Sequence, residues 1–126
     1  MDPSAVVCVI DDDEFVRLTV CAALNYAGFF TVEATNGKEG LEAIRRTGAR
    51  IAIVDVIMPV MGGLQTIAEA KRQFPNTKIL AITAGGKRAR GDLLTAAREL
   101  GADECLAKPF RNEDLMAKIS SLLAAV

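Results

Sequence analysis

An α/β fold of three layers, with a parallel sheet between two sets of helices, is the architecture this chain predicts, and three observations predict it. Five short apolar runs alternate with segments whose apolar residues recur at helical spacing, the pattern of strands joined by crossover helices. The middle run, Ile51 to Val54, is apolar on both faces, as a central parallel strand covered by helices must be. Charged residues then stand where apolar runs end: Asp11, Asp12 and Asp13 after the first, Asp55 after the third, Lys108 after the fifth. Parallel sheets place their ligand sites outside the carboxyl ends of their strands, so these distant residues are expected to converge on one acidic site.

Each element can be read in order. The first strand covers about residues 5 to 10 and leads to a helix from Asp13 to Ala27, with Val16, Val20, Leu24 and Ala27 on one face. Gly28 suits the left-handed cap at its end. Phe30 to Ala34 forms the second strand, and Asn36 with Glu39 resembles a capping box before a helix that carries Leu41 and Ile44 and ends at Gly48. The third strand is Ile51 to Val54. After a loop from Met58 through Pro59 to Gly62 and Gly63, the third helix carries Leu64, Ile67, Ala70, Lys71 and Phe74 and stops before Pro75. Lys78 to Thr83 is the fourth strand, broken by Gly85 and Gly86. Leu93, Leu94, Ala97 and Leu100 line the fourth helix, which Gly101 caps, and Glu104 to Ala107 is the fifth strand. Asn112 is expected to cap the last helix, with Glu113 and Asp114 in its first turn and Leu115, Ile119, Leu122 and Val126 as its buried stripe.

Composition removes many functions. The 126 residues predict one domain spanning residues 1–126, able to bury about two thirds of its unfolded surface. Fifteen basic and sixteen acidic residues leave a net charge of −1, without the electrostatic footprint of a nucleic-acid or membrane-surface binder. No run is long enough to cross a bilayer, and no basic-then-apolar leader opens the chain, so the cytoplasm is the expected location. Cys8, Cys21 and Cys105 are odd in number and widely spaced, which reads as small core residues rather than a disulfide or zinc framework. There is no histidine, which excludes Ser-His-Asp catalysis, His-ligated metals and a phosphohistidine carrier.

The acids point to a cation. Two carboxylates about 4 Å apart repel by up to roughly 4 kcal/mol at an effective dielectric near 20. A hard divalent ion with oxygen ligands relieves that, and magnesium is the usual choice where phosphate is also held. Helix capping accounts for some of Asp11 to Glu14, but not for Asp55, a lone acid ending an apolar strand. Gly85-Gly86-Lys87-Arg88 departs from a phosphate-binding loop at two positions. Lys87, Arg88 and Arg90 read as a solvated basic face, and Arg90-Gly91-Asp92 as loop and helix start.

Four segments together resemble the receiver domains of two-component response regulators: Asp11-Asp12, Asp55-Val56-Ile57-Met58-Pro59 with Gly62 or Gly63, Thr83-Ala84, and Lys108-Pro109-Phe110. They occur in order and span the chain. The resemblance implies a flavodoxin-like fold of five parallel strands in the order 2-1-3-4-5 with five helices. It also implies a phosphoacceptor switch, not an enzyme with an external substrate, in which Asp55 takes a phosphoryl group from a histidine kinase or histidine phosphotransfer protein. Asp12 and Asp55 would bind Mg2+ directly with the carbonyl of Ile57, Asp11 would act mainly through water, Lys108 would pair with phosphoryl oxygens, and Thr83 would donate its hydroxyl. The Lys108–Pro109 peptide would be cis. The downstream partner would be a separate, unidentified protein, and the chain a monomer or weak dimer. Two alternatives stay open: a receiver that only scaffolds other proteins, and a small magnesium-dependent phosphatase, whose second carboxylate is replaced by Ile57.

One position departs from the family pattern, and two that vary within the family are apolar or bare here. Cys105 stands where receivers commonly carry Tyr or Phe, so output is expected to rely on Thr83 and the loop at Gly85 and Gly86. Ile57 and Gly85 flank the acceptor without a polar side chain to orient water, which predicts slow hydrolysis of an acyl phosphate.

Overall fold

The computed structural model describes residues 5–58, 60–84 and 87–124, with only the backbone described for 87–90. Five strands, β1 (Val6–Ile10), β2 (Phe30–Ala34), β3 (Ile51–Asp55), β4 (Lys78–Thr83) and β5 (Glu104–Ala107), pair in the order β2-β1-β3-β4-β5, all parallel. Helices α1 (Glu14–Tyr26), α2 (Gly37–Thr47), α3 (Gly63–Gln73), α4 (Lys87–Glu99) and α5 (Asn112–Ala124) join them. The predicted α/β sandwich and strand order are therefore observed.

The alternation of side chains along the strands sorts the core into two layers. Cys8, Ile10, Ala52, Val54, Ile79 and Ala81 point to the face covered by α2, α3 and α4, meeting Ile44, Ile67, Ala70 and Ala97. Val7, Val9, Ile51, Ile53, Leu80 and Ile82 point to the other, meeting Val20 and Leu24 of α1 and Leu115, Ile119 and Leu122 of α5. Each valine, leucine and isoleucine among them contributes about 1.5–3 kcal/mol on burial. The three cysteines are free and buried, as expected of small core residues.

Local chemistry sets the ends. Asp13 caps α1, its carboxylate accepting from the amides of Phe15 and Val16 at 2.9 and 3.4 Å. Gly28 adopts φ 98, which only glycine takes freely, and lets Phe29 N donate to Leu24 O while Gly28 N donates to Asn25 O. Asn36 accepts from Glu39 N at 2.9 Å, and Glu39 accepts from Thr35 N at 3.0 Å in return. Gly63 starts α3 hard against β3: a Cβ there would overlap the Asp55 carbonyl oxygen and the Val56 backbone. That contact seats α3 beside the strand end that carries Asp55.

Five expectations need correction. Ala27 is the exposed C-cap of α1 rather than part of its buried face, because the helix ends at Tyr26 and Leu24 is its last buried residue. β3 runs one residue further, to Asp55, because Asp55 still pairs with Ile82. Leu100 lies past the end of α4 and is 41% exposed. α4 starts at Lys87, so Arg90-Gly91-Asp92 lies inside it; lysine, arginine and alanine extend a helix readily. Asn112 is the first residue of α5 rather than its cap; Arg111 precedes it, and Asp114 accepts from Arg111 N at 3.2 Å. Pro59, Gly85, Gly86, Val126 and the side chains of Lys87, Arg88 and Arg90 lie outside the described residues.

Candidate functional site

Because all five strands run the same way, their carboxyl ends share one edge, and the predicted residues arrive there from four segments. Asp11 follows β1, Asp55 ends β3, Thr83 ends β4 and Lys108 follows β5. Asp11, Asp12 and Asp55 each present a carboxylate oxygen, and these atoms lie within 4.8 Å of one another. Lys108 Nζ donates to Asp11 Oδ2 at 2.9 Å and to Asp55 Oδ2 at 3.4 Å. The Lys108–Pro109 peptide is cis, in agreement with the resemblance.

The acids are not equivalent. Asp11 is fully buried, and its Oδ1 accepts from Asp13 N at 2.9 Å, so this carboxylate is fixed by its own turn and by Lys108. Asp12 is exposed, and among the described residues no group bonds its carboxylate. Asp55 is 5% exposed, and its Oδ1 accepts from Ile57 N at 3.1 Å. Burial pushes the Asp55 carboxyl up to about 6, helped by the Asp11 charge and opposed by the Ile57 amide and Lys108. For Lys108, burial works against the charge, but bonding to Asp11 and the nearby charges of Asp55 and Asp11 outweigh it and raise its pKa.

The donor set suits a hard divalent cation. Among the described residues, Lys108 pairs with two of the three carboxylates, leaving excess negative charge, and every ligand atom in the cluster is oxygen. Ile57 presents its amide to Asp55, and its side chain is exposed. Thr83 is buried at the same edge, with Oγ1 donating to the Ala84 carbonyl at 3.1 Å rather than to the acids. Its own carbonyl accepts from Lys108 N at 2.8 Å, which ties the ends of β4 and β5 together. An open groove of about 510 Å³ runs beside Lys108, with apolar walls from Phe15, Val16, Val20, Pro109 and Phe110.

Sequence reasoning singled out none of the side chains that brace the turn after β1. Arg17 donates from Nη1 to the Asp11 carbonyl at 2.8 Å and from Nε to Glu33 at 3.1 Å. The only signal was a cation in the first turns of a helix, where acids are favoured.

Known proteins carry the same pattern. The family described as response regulator receiver domain matches residues 7–120. The chain is 33% identical over 115 residues to the transcriptional regulatory protein CpxR homolog of Haemophilus influenzae, covering 91% of this chain and 48% of that protein. It is 33% identical over 106 residues to the chemotaxis protein CheY of Thermotoga maritima, covering 83% and 86%. The chain thus spans about half the length of the first relatives it matches, the CpxR homolog and the response regulator MprA of Mycobacterium leprae. Among solved structures, CheY4 of Vibrio cholerae superposes with a TM-score of 0.85 at 28% identity, covering 94% of this chain and 98% of that one. A CheY-like receiver domain protein from Methanospirillum hungatei shares the fold, with a TM-score of 0.87 at 24% identity over 95% and 94%. Among the described residues, no helix is long and apolar enough to cross a membrane.

Proposed function

Because this chain belongs to the receiver domain family of two-component response regulators, we propose that it is a phosphoacceptor switch, phosphorylated on Asp55 by a histidine kinase or histidine phosphotransfer protein in a magnesium-dependent reaction. The observation that carries this reading is the convergence of three carboxylates, two of them paired with Lys108, at the carboxyl edge of a parallel sheet.

An Asp55 carboxylate oxygen forms the new bond to phosphorus while the bond from phosphorus to the donor imidazole nitrogen breaks, and that nitrogen keeps the electron pair. A carboxyl at about 6 is mostly ionised at neutral pH, so Asp55 needs no separate base. Its burial also makes it a better nucleophile than a solvated acid, because less hydration is lost on attack. Asp12 and Asp55 would hold Mg2+, with the Ile57 carbonyl assisting and Asp11 acting mainly through water. Bound there, the ion supplies neutralisation of the phosphoryl charge. Lys108 already spans Asp11 and Asp55, so its ammonium is within reach of oxygens arriving at Asp55. Thr83 donates its hydroxyl to one of them after leaving the Ala84 carbonyl. Positioning and charge balance, rather than proton transfer, carry the rate.

With no histidine in the chain, the phosphoryl group must come from another molecule or domain, and the apolar groove beside Lys108 supports docking of a protein donor there. Ile57 is exposed and apolar two residues after Asp55, which argues against a phosphatase that needs a carboxylate there. The test is incubation with Mg2+ and acetyl phosphate followed by intact mass. One added phosphoryl group, absent with EDTA and absent in Asp55→Asn, is expected. No addition to the parent chain would leave the scaffold reading instead.

A further inference from the structure

The turn that carries Asp11 and Asp12 is held by a side chain to which the phosphoacceptor roles assign nothing. Arg17, the fourth residue of α1, is 12% exposed in its side chain and grips two partners, the Asp11 carbonyl at 2.8 Å and Glu33 at 3.1 Å. Helical side chains lean toward the helix N-terminus, so an arginine here reaches back over the preceding turn. The rigid guanidinium fork serves both acceptors at once, which a single ammonium does poorly. The gripped carbonyl belongs to the Asp11–Asp12 peptide. Asp11 N, in the preceding peptide, donates to the Ala34 carbonyl at 3.1 Å, so Asp11 is anchored through both of its backbone polar groups. Asp12 itself is exposed, so packing does not orient it; the backbone from which it projects must.

An unbalanced guanidinium at this point would repel a divalent ion. Glu33, the residue before Ala34 on β2, removes that objection. We propose that Arg17 is a positioning residue for the cation site, orienting the Asp11–Asp12 peptide, and that Glu33 cancels its charge so that the acidic cluster keeps its attraction for Mg2+. The inference rests on the reading of Asp11, Asp12 and Asp55 as the magnesium ligands.

The test is titration of the full chain with Mg2+ alone, following the amide signals of Asp12 and Asp13 by NMR, with thermal unfolding in EDTA measured beside it. The paired variant Arg17→Met with Glu33→Gln removes the grip without changing the summed charge. Its Kd for Mg2+ is expected to rise about tenfold, the low end of what losing a ligand-orienting group costs. Glu33→Gln alone keeps an acceptor for Nε but exposes the charge, and is expected to raise Kd about threefold. A merely structural arginine would lower the unfolding temperature of the paired variant and leave Kd of the folded fraction within twofold of the parent, which overturns the inference. If the paired variant does not fold, Glu33→Gln carries the test, and an unchanged Kd there overturns it. Absence of Mg2+ binding by the parent chain would instead bring down the magnesium reading itself, and the inference with it.

Discussion

Replacing Asp55 with asparagine should make the protein more stable at neutral pH while abolishing its role as acceptor. Asp55 is held at about 6 instead of 3.8, chiefly by burial and then by the charge of Asp11. Ionising it in the fold is therefore harder than in the unfolded chain by about 3 kcal/mol. Asparagine has the same shape, keeps an oxygen for the Ile57 amide, and carries no charge. The 3.4 Å contact with Lys108 is already counted in the value of about 6, since it is one of the causes that lower it, and Lys108 keeps its shorter bond to Asp11. The net gain is about 3 kcal/mol, or about 10 °C in Tm for a domain of this size.

The pH dependence carries the stronger test. The folded state holds the Asp55 proton more tightly than the unfolded chain does. Stability from this group is thus fully present below about pH 4 and is lost as pH rises through about 6. Other acids act in the opposite sense: hydrogen bonds to Thr35, Arg45, Arg72 and Arg111 lower the pKa values of Glu39, Glu42, Glu69 and Asp114. Absolute stability therefore mixes signs, and the difference between parent and Asp55→Asn isolates the site. Urea unfolding followed by circular dichroism in EDTA, at pH 4 and at pH 7.5, measures it. The advantage of the variant should be about 3 kcal/mol at pH 7.5 and close toward zero at pH 4. A variant no more stable than the parent at pH 7.5, or an advantage that does not change with pH, would refute the assignment of a buried, hard-to-ionise carboxylate.

Lys108→Met should act in the other direction. It leaves buried Asp11 without its protein cation, costing about 3 kcal/mol in the same urea assay and abolishing phosphorylation by acetyl phosphate; a stable, phosphorylatable variant would sink the charge-balance account. Once formed, the acyl phosphate should release phosphate slowly, because the exposed Ile57 side chain offers no group to orient water. Release as fast as in receivers bearing an acid or amide there would contradict this. Phosphorylation should also shift the amide signals of Leu94 and Ala97 on α4; unchanged signals would exclude α4 from the output route.

The fold was legible wherever the chain changes character abruptly. β2, β4 and β5 begin and end as expected because glycine, proline or charge stands at their borders, and Gly28 and Gly48 mark helix ends by conformations other residues avoid. Where the chain has no such break, it misled. Lys87 to Arg90 are good helix formers, so nothing in them announced that α4 starts at Lys87. Asn112 looked like a cap, yet the side chain that reaches back is Asp114 and the residue it serves is Arg111. For the site, charge at the end of an apolar strand was a sufficient signal for Asp11, Asp55 and Lys108. The choice Lys108 makes between its two acids was not legible. It depends on an approach between residues 97 apart in the chain, and the shorter bond goes to Asp11. Arg17 was invisible for a similar reason: its partners lie on the turn before its helix and on a neighbouring strand.

Cys105 narrows how the site can signal. It is buried beneath α4, with Sγ 3.9 Å from the Leu94 carbonyl and Ala97 in the same cluster, so it fills space rather than supplying a ring that changes position. What remains is the backbone. Thr83 pairs with Ala107, and its carbonyl accepts from Lys108 N, so the two residues proposed to meet the phosphoryl group share one hydrogen bond. If Thr83 leaves the Ala84 carbonyl to reach the phosphoryl oxygens while Lys108 follows the same oxygens, both ends of that bond move together, and the closing turns of β4 and β5 shift as a unit. Cys105 pairs with Ala81 two residues earlier in the same ladder, so the shift arrives at α4 through strand displacement. A small thiol permits that route better than a ring would, because less volume must be repacked when the strand moves.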